Sequence, residues 1–221
     1  MTAGMNESET RAEYIDPALK AAGWGEVEGS RIRREYNITL GRLQGSGKRA
    51  KPDIADYVLE YRGQQLAVIE AKRFDLPYTE GVGQAKKYAT KLDVRFTYAT
   101  NGRQVYAIDM ATGHEQDVPA YPSPQELWDM TFAESNEWRD RFADITPETK
   151  GGTYASRYYQ EIAVNKVLES IAHGDQRILL TLATGTGKTH IAFQLAWKLF
   201  HSRWNLNRDA GRRPRILFLA D

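Results

Sequence analysis

The 221-residue sequence contains no cysteine, which excludes disulfide bonds, zinc–thiolate sites and thiol catalysis. It also has no marked excess of either charge, because 30 Lys and Arg residues face 29 Asp and Glu residues and leave a formal net charge of +1. Contact with nucleic acid must therefore come from local basic clusters, such as Lys48-Arg49-Ala50-Lys51, and not from a global positive field. The four histidines show no spacing typical of metal ligands.

Long apolar runs are absent as well, so the sequence offers no candidate membrane span. The segment from Met1 to Glu13 is polar and acidic, where a secretory signal would be basic and then apolar. We therefore expect an intracellular, cytoplasmic protein without a membrane partner. Hydrophobic residues still make up 41% of the chain, which is enough for ordinary globular cores, and the length accommodates one full domain and part of another.

Helix and strand signals in the first part of the chain predict an α/β fold. In chain order they indicate a helix, a β-prone segment with a Gly/Ser-rich loop, a hairpin, a second helix and a second hairpin: Glu7 to Ala22, Ser30 to Gly47, Asp53 to Tyr61 with Gln65 to Ala71, Glu80 to Leu92, and Val94 to Ala99 with Gln104 to Ile108. Tight turns at Arg62-Gly63-Gln64 and Asn101-Gly102 connect the paired strands. The order predicts a mixed sheet flanked by helices.

A domain boundary is indicated after a helix-rich stretch from Tyr121 to Phe142, because residues 145–156 carry Pro, Thr and paired Gly. We assign residues 1–145 to a first domain, 146–157 to a linker and 158–221 to the start of a second domain. In that second region the pattern predicts a helix, a strand, a helix and a strand: Tyr158 to Ala172, Arg177 to Leu182, Lys188 to Phe200, and Arg215 to Ala220. Such an alternation is typical of a parallel α/β sheet.

Two carboxylates and an ammonium group are predicted to meet on the first hairpin. Residues two apart share one face of a strand, so Glu70 and Lys72 project to the same side, and Asp53 opens the preceding strand of the hairpin. Asp53 and Glu70 would suit Mg²⁺, which keeps several waters and binds phosphate in its remaining positions. Lys72 would orient a water or offset charge on the phosphate, giving phosphodiester hydrolysis.

The Glu-x-Lys pattern by itself is uninformative, and Glu148-Thr149-Lys150 in the predicted linker is a second example. The surrounding hairpin and the apolar run into Glu70 distinguish the first. The structural alternative is a solvated ion pair at the end of a strand.

A family resemblance favours the catalytic interpretation. Pro52-Asp53, Glu70-Ala71-Lys72 and the segment from Gln84 to Tyr88 resemble the PD-(D/E)xK nuclease pattern, with its Gln-x-x-x-Tyr extension, in the motor (R) subunits of type I restriction enzymes. The resemblance implies a restriction-endonuclease-like sheet and a supporting role for Gln84 and Tyr88 beside the active site and the DNA. It also raises the question whether Glu13 supplies an extra carboxylate, as in some relatives, or is a plain surface charge.

A phosphate-binding loop is predicted at Gly185-Thr186-Gly187-Lys188-Thr189, between an apolar segment and a helix. Lys188 would reach the β- and γ-phosphates of ATP, and the Thr189 hydroxyl would bind Mg²⁺. The general P-loop pattern asks for Gly where this chain has Leu182, but Ala-Thr-Gly-Thr-Gly-Lys-Thr resembles the loop of superfamily 2 helicases and translocases. Gln160 resembles the glutamine with which such motors read adenine. This resemblance implies the truncated start of a RecA-like domain.

Together the motifs resemble the N-terminal part of a type I restriction motor subunit. That family implies cleavage of double-stranded DNA, ATP-driven translocation, and a complex with modification (M) and specificity (S) subunits. Two alternatives remain open from the residues alone. One is a DNA-binding or assembly module with a nuclease-like fold but no chemistry, and the other is a stand-alone DNA repair helicase that carries a nuclease.

Overall fold

The computed structural model describes residues 5–39, 52–153 and 156–219, so the predicted basic cluster at 48–51 and the Gly/Ser-rich loop before it lie outside the described residues. The chain forms two compact units, Met1–Ala133 and Glu134–Asp221, called here the first and the second unit. None of the helices in the described ranges combines the length and the apolar content of a membrane span.

The first unit contains a six-stranded sheet whose strands lie side by side in chain order. Its strands are β1 (Ser30–Thr39), β2 (Asp53–Tyr61), β3 (Gln64–Ala71), β4 (Phe96–Thr100), β5 (Val105–Asp109) and β6 (Glu115–Val118). Neighbours pair antiparallel except β3 and β4, which are parallel. The mixed sheet and both predicted hairpins are therefore confirmed, while β6 is a strand that the sequence analysis did not predict.

Helix α3 (Val82–Leu92) connects the two parallel strands and covers one face of the sheet. Its buried side chains recur at three- and four-residue intervals: Ala85, Tyr88, Ala89 and Leu92. The Thr97 hydroxyl of β4 donates a hydrogen bond to the Ala85 carbonyl oxygen at 3.3 Å, which joins helix and sheet. A short 3₁₀ turn, Tyr78–Gly81, leads into α3.

The predicted N-terminal helix is present but interrupted. It consists of α1 (Glu7–Thr10), a π-helical turn (Arg11–Ile15) and α2 (Asp16–Ala21), with Asn6 accepting a capping hydrogen bond from Glu9 N. Single π turns within helices occur frequently at functional sites. Helix α4 (Pro124–Thr131) also belongs to the first unit, where the Trp128 ring packs edge-on against Tyr61.

The second unit contains α5 (Glu137–Ala143), α6 (Tyr158–His173) and α7 (Lys188–His201). Trp138 and Phe142 of α5 share one buried cluster with Val164, Leu168 and Ile191. Because these aromatic rings complete that core, the division between the units falls after Ala133, whereas the sequence analysis placed α5 in the first domain, ending at residue 145.

The two strands predicted for the second unit do not form within residues 156–219. The segment 177–182 is not hydrogen-bonded into a sheet, and Leu179 is 89% exposed. The described part of the segment 215–220 is similar, with Leu217 and Leu219 each 82% exposed. A strand of a parallel sheet needs neighbouring strands on which to pair, and the described residues of this unit supply none.

Candidate functional site

Glu70 and Lys72 lie at the end of β3, on the central part of the sheet. Glu70 is only 3% exposed, and Lys72 Nζ donates to Glu70 Oε1 at 2.8 Å. The backbone of Lys72 continues the parallel pairing, since its N–H donates to the Thr100 carbonyl oxygen at 2.8 Å. As predicted, the structure brings these two side chains together.

The carboxylate that joins them is Asp56, not Asp53. Asp56 Oδ2 accepts a hydrogen bond from the Ala71 N–H at 2.7 Å, and the Asp56 and Glu70 carboxyl groups interact directly. The register explains the choice, because Tyr57 pairs with Ile69, and one further step places Asp56 opposite Glu70. Asp53 lies three residues before Asp56, roughly 10 Å away along β2. The prediction that Asp53 completes the trio is thus corrected.

Asp53 instead lies against α3. Its carboxylate accepts hydrogen bonds from Lys87 Nζ at 2.7 Å and from Lys91 Nζ. The hydrogen bond from Lys87, followed by that from Lys91, lowers the pKa of Asp53. Asp53 therefore stays ionised at neutral pH as the partner of two ammonium groups.

Burial dominates the electrostatics of the carboxyl pair. Burial, and next the nearby Asp56 charge, raise the pKa of Glu70 to about 7, while Lys72 acts in the opposite direction. Burial also raises the pKa of Asp56, although hydrogen bonding from Ala71 N and the charges of Arg11 and Lys72 oppose the shift. Burial tends to lower the pKa of Lys72, but the hydrogen bond and charge of Glu70 raise it above its ordinary value.

The N-terminal helix contributes a further carboxylate and a cation to this site. Burial and the Asp56 charge raise the pKa of Glu7, so Glu7 in the first turn of α1 is electrostatically linked to the pair. Arg11 Nη1 contacts Asp56 Oδ1 at 3.4 Å, and Arg11 Nη2 contacts Glu35 Oε1 at 3.3 Å. Glu13, considered in the sequence analysis, is exposed. Neither Asp56 nor Glu7 was predicted from the sequence as a site residue.

The donor set fits a hard divalent cation. Glu70 Oε2 is buried without a hydrogen-bond donor, and its neighbour Asp56 is a carboxyl group, which cannot donate when ionised. A buried carboxylate oxygen without a donor, beside a second, partly buried carboxyl group, favours a cation between the two. In the part of the chain that the structure describes, no group of three or more His, Asp or Glu side chains forms a complete cage. Mg²⁺ is bound by one or two carboxylates plus waters and substrate phosphate.

Helix α3 and its lead-in border the carboxyl pair. Gln84 Nε2 donates to the Tyr88 hydroxyl at 2.9 Å, so the predicted Gln and Tyr do act as a pair one helical turn apart. Burial, followed by the charge of Glu70, raises the pKa of Tyr88, which places its hydroxyl in the field of the site. A Cβ atom on Gly81 would lie 3.3 Å from Glu70 Cγ, so glycine lets this turn approach the carboxylate closely.

The loop predicted to bind phosphate lies directly before α7 in the second unit. Gly185 and Gly187 have φ of +80° and +82°, a backbone conformation that favours glycine, and Lys188 and Thr189 begin the helix in exposed positions. Gln160 is 5% exposed, and its Nε2 donates to the Thr186 carbonyl oxygen at 2.9 Å. The structure thus ties Gln160 to the loop, while its contact with adenine stays a prediction.

Two family models match the chain. One is described as "Type I restriction enzyme R protein N terminus (HSDR_N)" and matches residues 6–122, more than half of the chain, including Asp56, Glu70 and Lys72. The chain belongs to this family. The other is described as "Type III restriction enzyme, res subunit" and matches residues 153–221, which contain the predicted phosphate-binding loop.

Relatives of the R-protein chain agree with these matches. It is 36% identical over 98% of its length to the EcoAI endonuclease subunit of a type I restriction enzyme from Escherichia coli, and 28% identical over its whole length to the EcoKI endonuclease subunit from Escherichia coli (strain K12). A solved structure described as an HsdR subunit fragment of a type I restriction enzyme from Vibrio vulnificus YJ016 superposes with a TM-score of 0.85 and 38% identity over 97% of this chain and 41% of that one. The R-protein chain spans 27% and 23% of the two curated relatives' lengths.

Proposed function

We propose that the first unit of this R-protein chain is an Mg²⁺-dependent endonuclease that hydrolyses phosphodiester bonds of double-stranded DNA. The observation that carries the proposal is the buried Glu70 Oε2 without a donor, beside Asp56 and within reach of Lys72. Asp56 and Glu70 would hold the cation, so Asp56 takes the role that the sequence analysis gave to Asp53.

A bound Mg²⁺ supplies charge neutralisation at the phosphate and a water of lowered pKa. The protein side chains supply position and charge. Asp56 is fixed by the Ala71 N–H, and Glu70 is fixed by Lys72, so both carboxylates are preorganised before DNA arrives. Lys72 stays protonated, because the hydrogen bond and charge of Glu70 raise its pKa, and its ammonium group can stabilise negative charge that develops on the phosphate.

The remaining residues support this pair. Tyr88, oriented by Gln84, closes the α3 side of the site. Glu7 approaches the pair from α1, where its carboxylate can hold a water of the cation. Arg11 contacts Oδ1 of Asp56 while Ala71 N donates to Oδ2, so Arg11 acts as a positioning residue.

For the second unit we propose ATP binding at the loop from Gly185 to Thr189, with Gln160 bracing the loop. In the intact subunit ATP hydrolysis would drive translocation along duplex DNA, in a cytoplasmic complex with M and S subunits. We propose two domains with α5 in the second, so that the boundary follows residue 133 in place of residue 145 and the linker expected at 146–157 lies within the second domain.

The nuclease proposal is tested with the full-length subunit, assembled with its M and S partners, on plasmid DNA with Mg²⁺ and ATP. Asp56→Asn and Glu70→Gln should each reduce cleavage at least about 100-fold while ATP hydrolysis persists. Glu13→Gln makes the same carboxylate-to-amide change at an exposed position of the N-terminal helix and serves as the control.

Cleavage that survives Asp56→Asn would refute the assignment of the site, whereas absence of cleavage by the unaltered complex would leave a DNA-binding or assembly module. Lys188→Ala should have the complementary effect and abolish ATP hydrolysis, with Lys166→Ala on the exposed face of α6 as its control.

A further inference from the structure

The Asp53 cluster, formed by Asp53, Lys87 and Lys91, has no part in the cation site. One carboxylate receives two ammonium groups there, with Lys87 Nζ 2.7 Å from Asp53 Oδ1 and Lys91 Nζ bonded to Asp53 Oδ2. The two lysines are four residues apart on α3, so they share one face of the helix, separated by about 6 Å along its axis. The Lys87 side chain is 55% exposed, which leaves it accessible to a ligand.

The cluster is next to the cation site, with Tyr88 between them. Besides burial, the charges of Glu70 and Asp53 both raise the pKa of the Tyr88 hydroxyl, and Lys87 Nζ lies 5.7 Å from the centre of the Tyr88 ring. A phosphodiester backbone whose scissile phosphate lies at Asp56, Glu70 and Lys72 would therefore continue past Tyr88 over the two lysines.

The charges of the cluster suit an anion of the size of a phosphate. A carboxylate already occupies the point where the two ammonium groups converge, which shows that the geometry accepts two oxygen atoms of one anion. A phosphodiester also offers two anionic oxygens and a single charge, so it can take the same two donors. An exposed ion pair has a low net strength, so replacing the carboxylate by a phosphate costs little free energy.

We propose that Lys87 and Lys91 bind a phosphate of the DNA backbone next to the scissile one, and that Asp53 holds the two ammonium groups in place until that phosphate replaces it. The proposal deepens the nuclease function and rests on it. It gives Asp53, which lies outside the cation site, a role as an internal stand-in for phosphate.

The chain offers a matched control on the same helix. Lys86 also carries an ammonium group bonded to a carboxylate, but its partner is Glu115 of β6. Lys86→Gln removes one positive charge from α3 without touching the Asp53 cluster, whereas the Lys87/Lys91 pair removes two. A general loss of positive charge would therefore affect the variants in proportion to the number of charges removed.

The test measures binding of a fluorescent duplex to the full-length subunit at several salt concentrations, with Asp56→Asn as the common background so that no DNA is cut. Lys87→Gln combined with Lys91→Gln should weaken binding on every sequence and reduce the slope of log K against log salt by about 0.9, the value for one lost phosphate contact. Lys87→Arg with Lys91→Arg should retain the slope. Lys86→Gln should leave it unchanged.

Asp53→Asn should strengthen DNA binding, where the lysine substitutions weaken it, because it removes the anion that competes with the phosphate. In the Asp56→Asn background it should tighten binding about threefold, and with Asp56 restored it should lower the DNA concentration for half-maximal cleavage by a similar factor. Loss of cleavage on Asp53→Asn, with binding unchanged, would overturn the proposal and return Asp53 to the catalytic machinery. Equal effects per removed charge of the Lys86 and the Lys87/Lys91 variants would also overturn the proposal, because the Asp53 cluster would then be an ordinary set of surface ion pairs. The proposed nuclease site is tested separately, by measuring cleavage with the Asp56→Asn variant alone. Cleavage that survives this substitution would refute that site.

Discussion

The two units differ in how far their sheets are built. Six strands of the first unit pair with one another, and its buried carboxyl pair is held by hydrogen bonds within that sheet. The second unit has helices and the predicted phosphate-binding loop, but its apolar segments at 177–182 and 215–219 do not pair with other strands. A site on a strand therefore depends on the neighbouring strands, whereas a loop at the start of a helix needs mainly local backbone geometry.

Matched leucine truncations give the largest expected contrast between the units. Leu59 of β2 is fully buried, so Leu59→Ala should lower the free energy of unfolding by about 2–5 kcal/mol. Leu179 is 89% exposed, so Leu179→Ala should change it by less than about 0.5 kcal/mol. Urea unfolding of the 221-residue chain measures both. A large cost at Leu179 would show that the segment packs in solution and would break the comparison.

The phosphate loop should respond to a single methyl group. Gly187→Ala places a side chain at φ +82° and against the Gln160 amide, so ATP hydrolysis by the full-length subunit should fall at least about 100-fold. Gly152→Ala, at φ +91° with open space around it, carries the backbone strain without the contact and is the control. Near-normal hydrolysis by Gly187→Ala would contradict the local-geometry view of this unit.

The buried carboxyl pair predicts a pH dependence of stability for the metal-free first unit. The folded-state pKa of Glu70, about 7, lies above its ordinary value of 4.5, so between these values the folded state binds more protons than the unfolded state. Stability should therefore fall as pH rises through that window, by on the order of 1–3 kcal/mol. Thermal unfolding with and without Mg²⁺ measures it; Glu70→Gln should flatten the profile, and Mg²⁺ should restore stability near pH 7. A profile that rises through the window would refute the arrangement.

Close packing beside Glu70 should matter less than the carboxylates themselves. Gly81→Ala adds a Cβ 3.3 Å from Glu70 Cγ, so a shift of a few tenths of an ångström should reduce cleavage about 10-fold. The helix should remain folded. Gly83→Ala, on α3 with nothing within 4 Å of the added atom, should cleave normally. Equal cleavage by both variants would show that the turn tolerates the extra atom.

Much of the first unit was predictable because local patterns and final contacts agree. The β2 strand has the predicted ends, and the other predicted strands and α3 lie within two residues of expectation. Strand β6 escaped prediction because the segment from Glu115 to Val118 is short and polar and gains strand structure only by pairing with β5. In the second unit the apolar content of 177–182 predicted a strand that lacks a partner.

The choice between Asp53 and Asp56 shows where local reasoning stopped. Counting back from the Arg62-Gly63 turn in regular register would place Ala55 opposite Glu70, and a bulge between Leu59 and Glu60 shifts this by one residue to Asp56. A one-residue shift changes which face every side chain occupies. Counting residues back from the turn could have excluded Asp53. It was chosen because Pro52-Asp53 matches the Pro-Asp of the nuclease motif.

Spacing along the chain is enough to predict the family, the hairpin that carries Glu70 and Lys72, the Gln84–Tyr88 pair on α3 and the glycine-rich loop before α7. The three-dimensional contacts were needed to find which aspartate lies beside Glu70, that Glu7 and Arg11 approach this pair, and that α5 packs in the second unit. These outcomes depend on strand register and on contacts between residues far apart in the chain, and such contacts are set by packing as a whole.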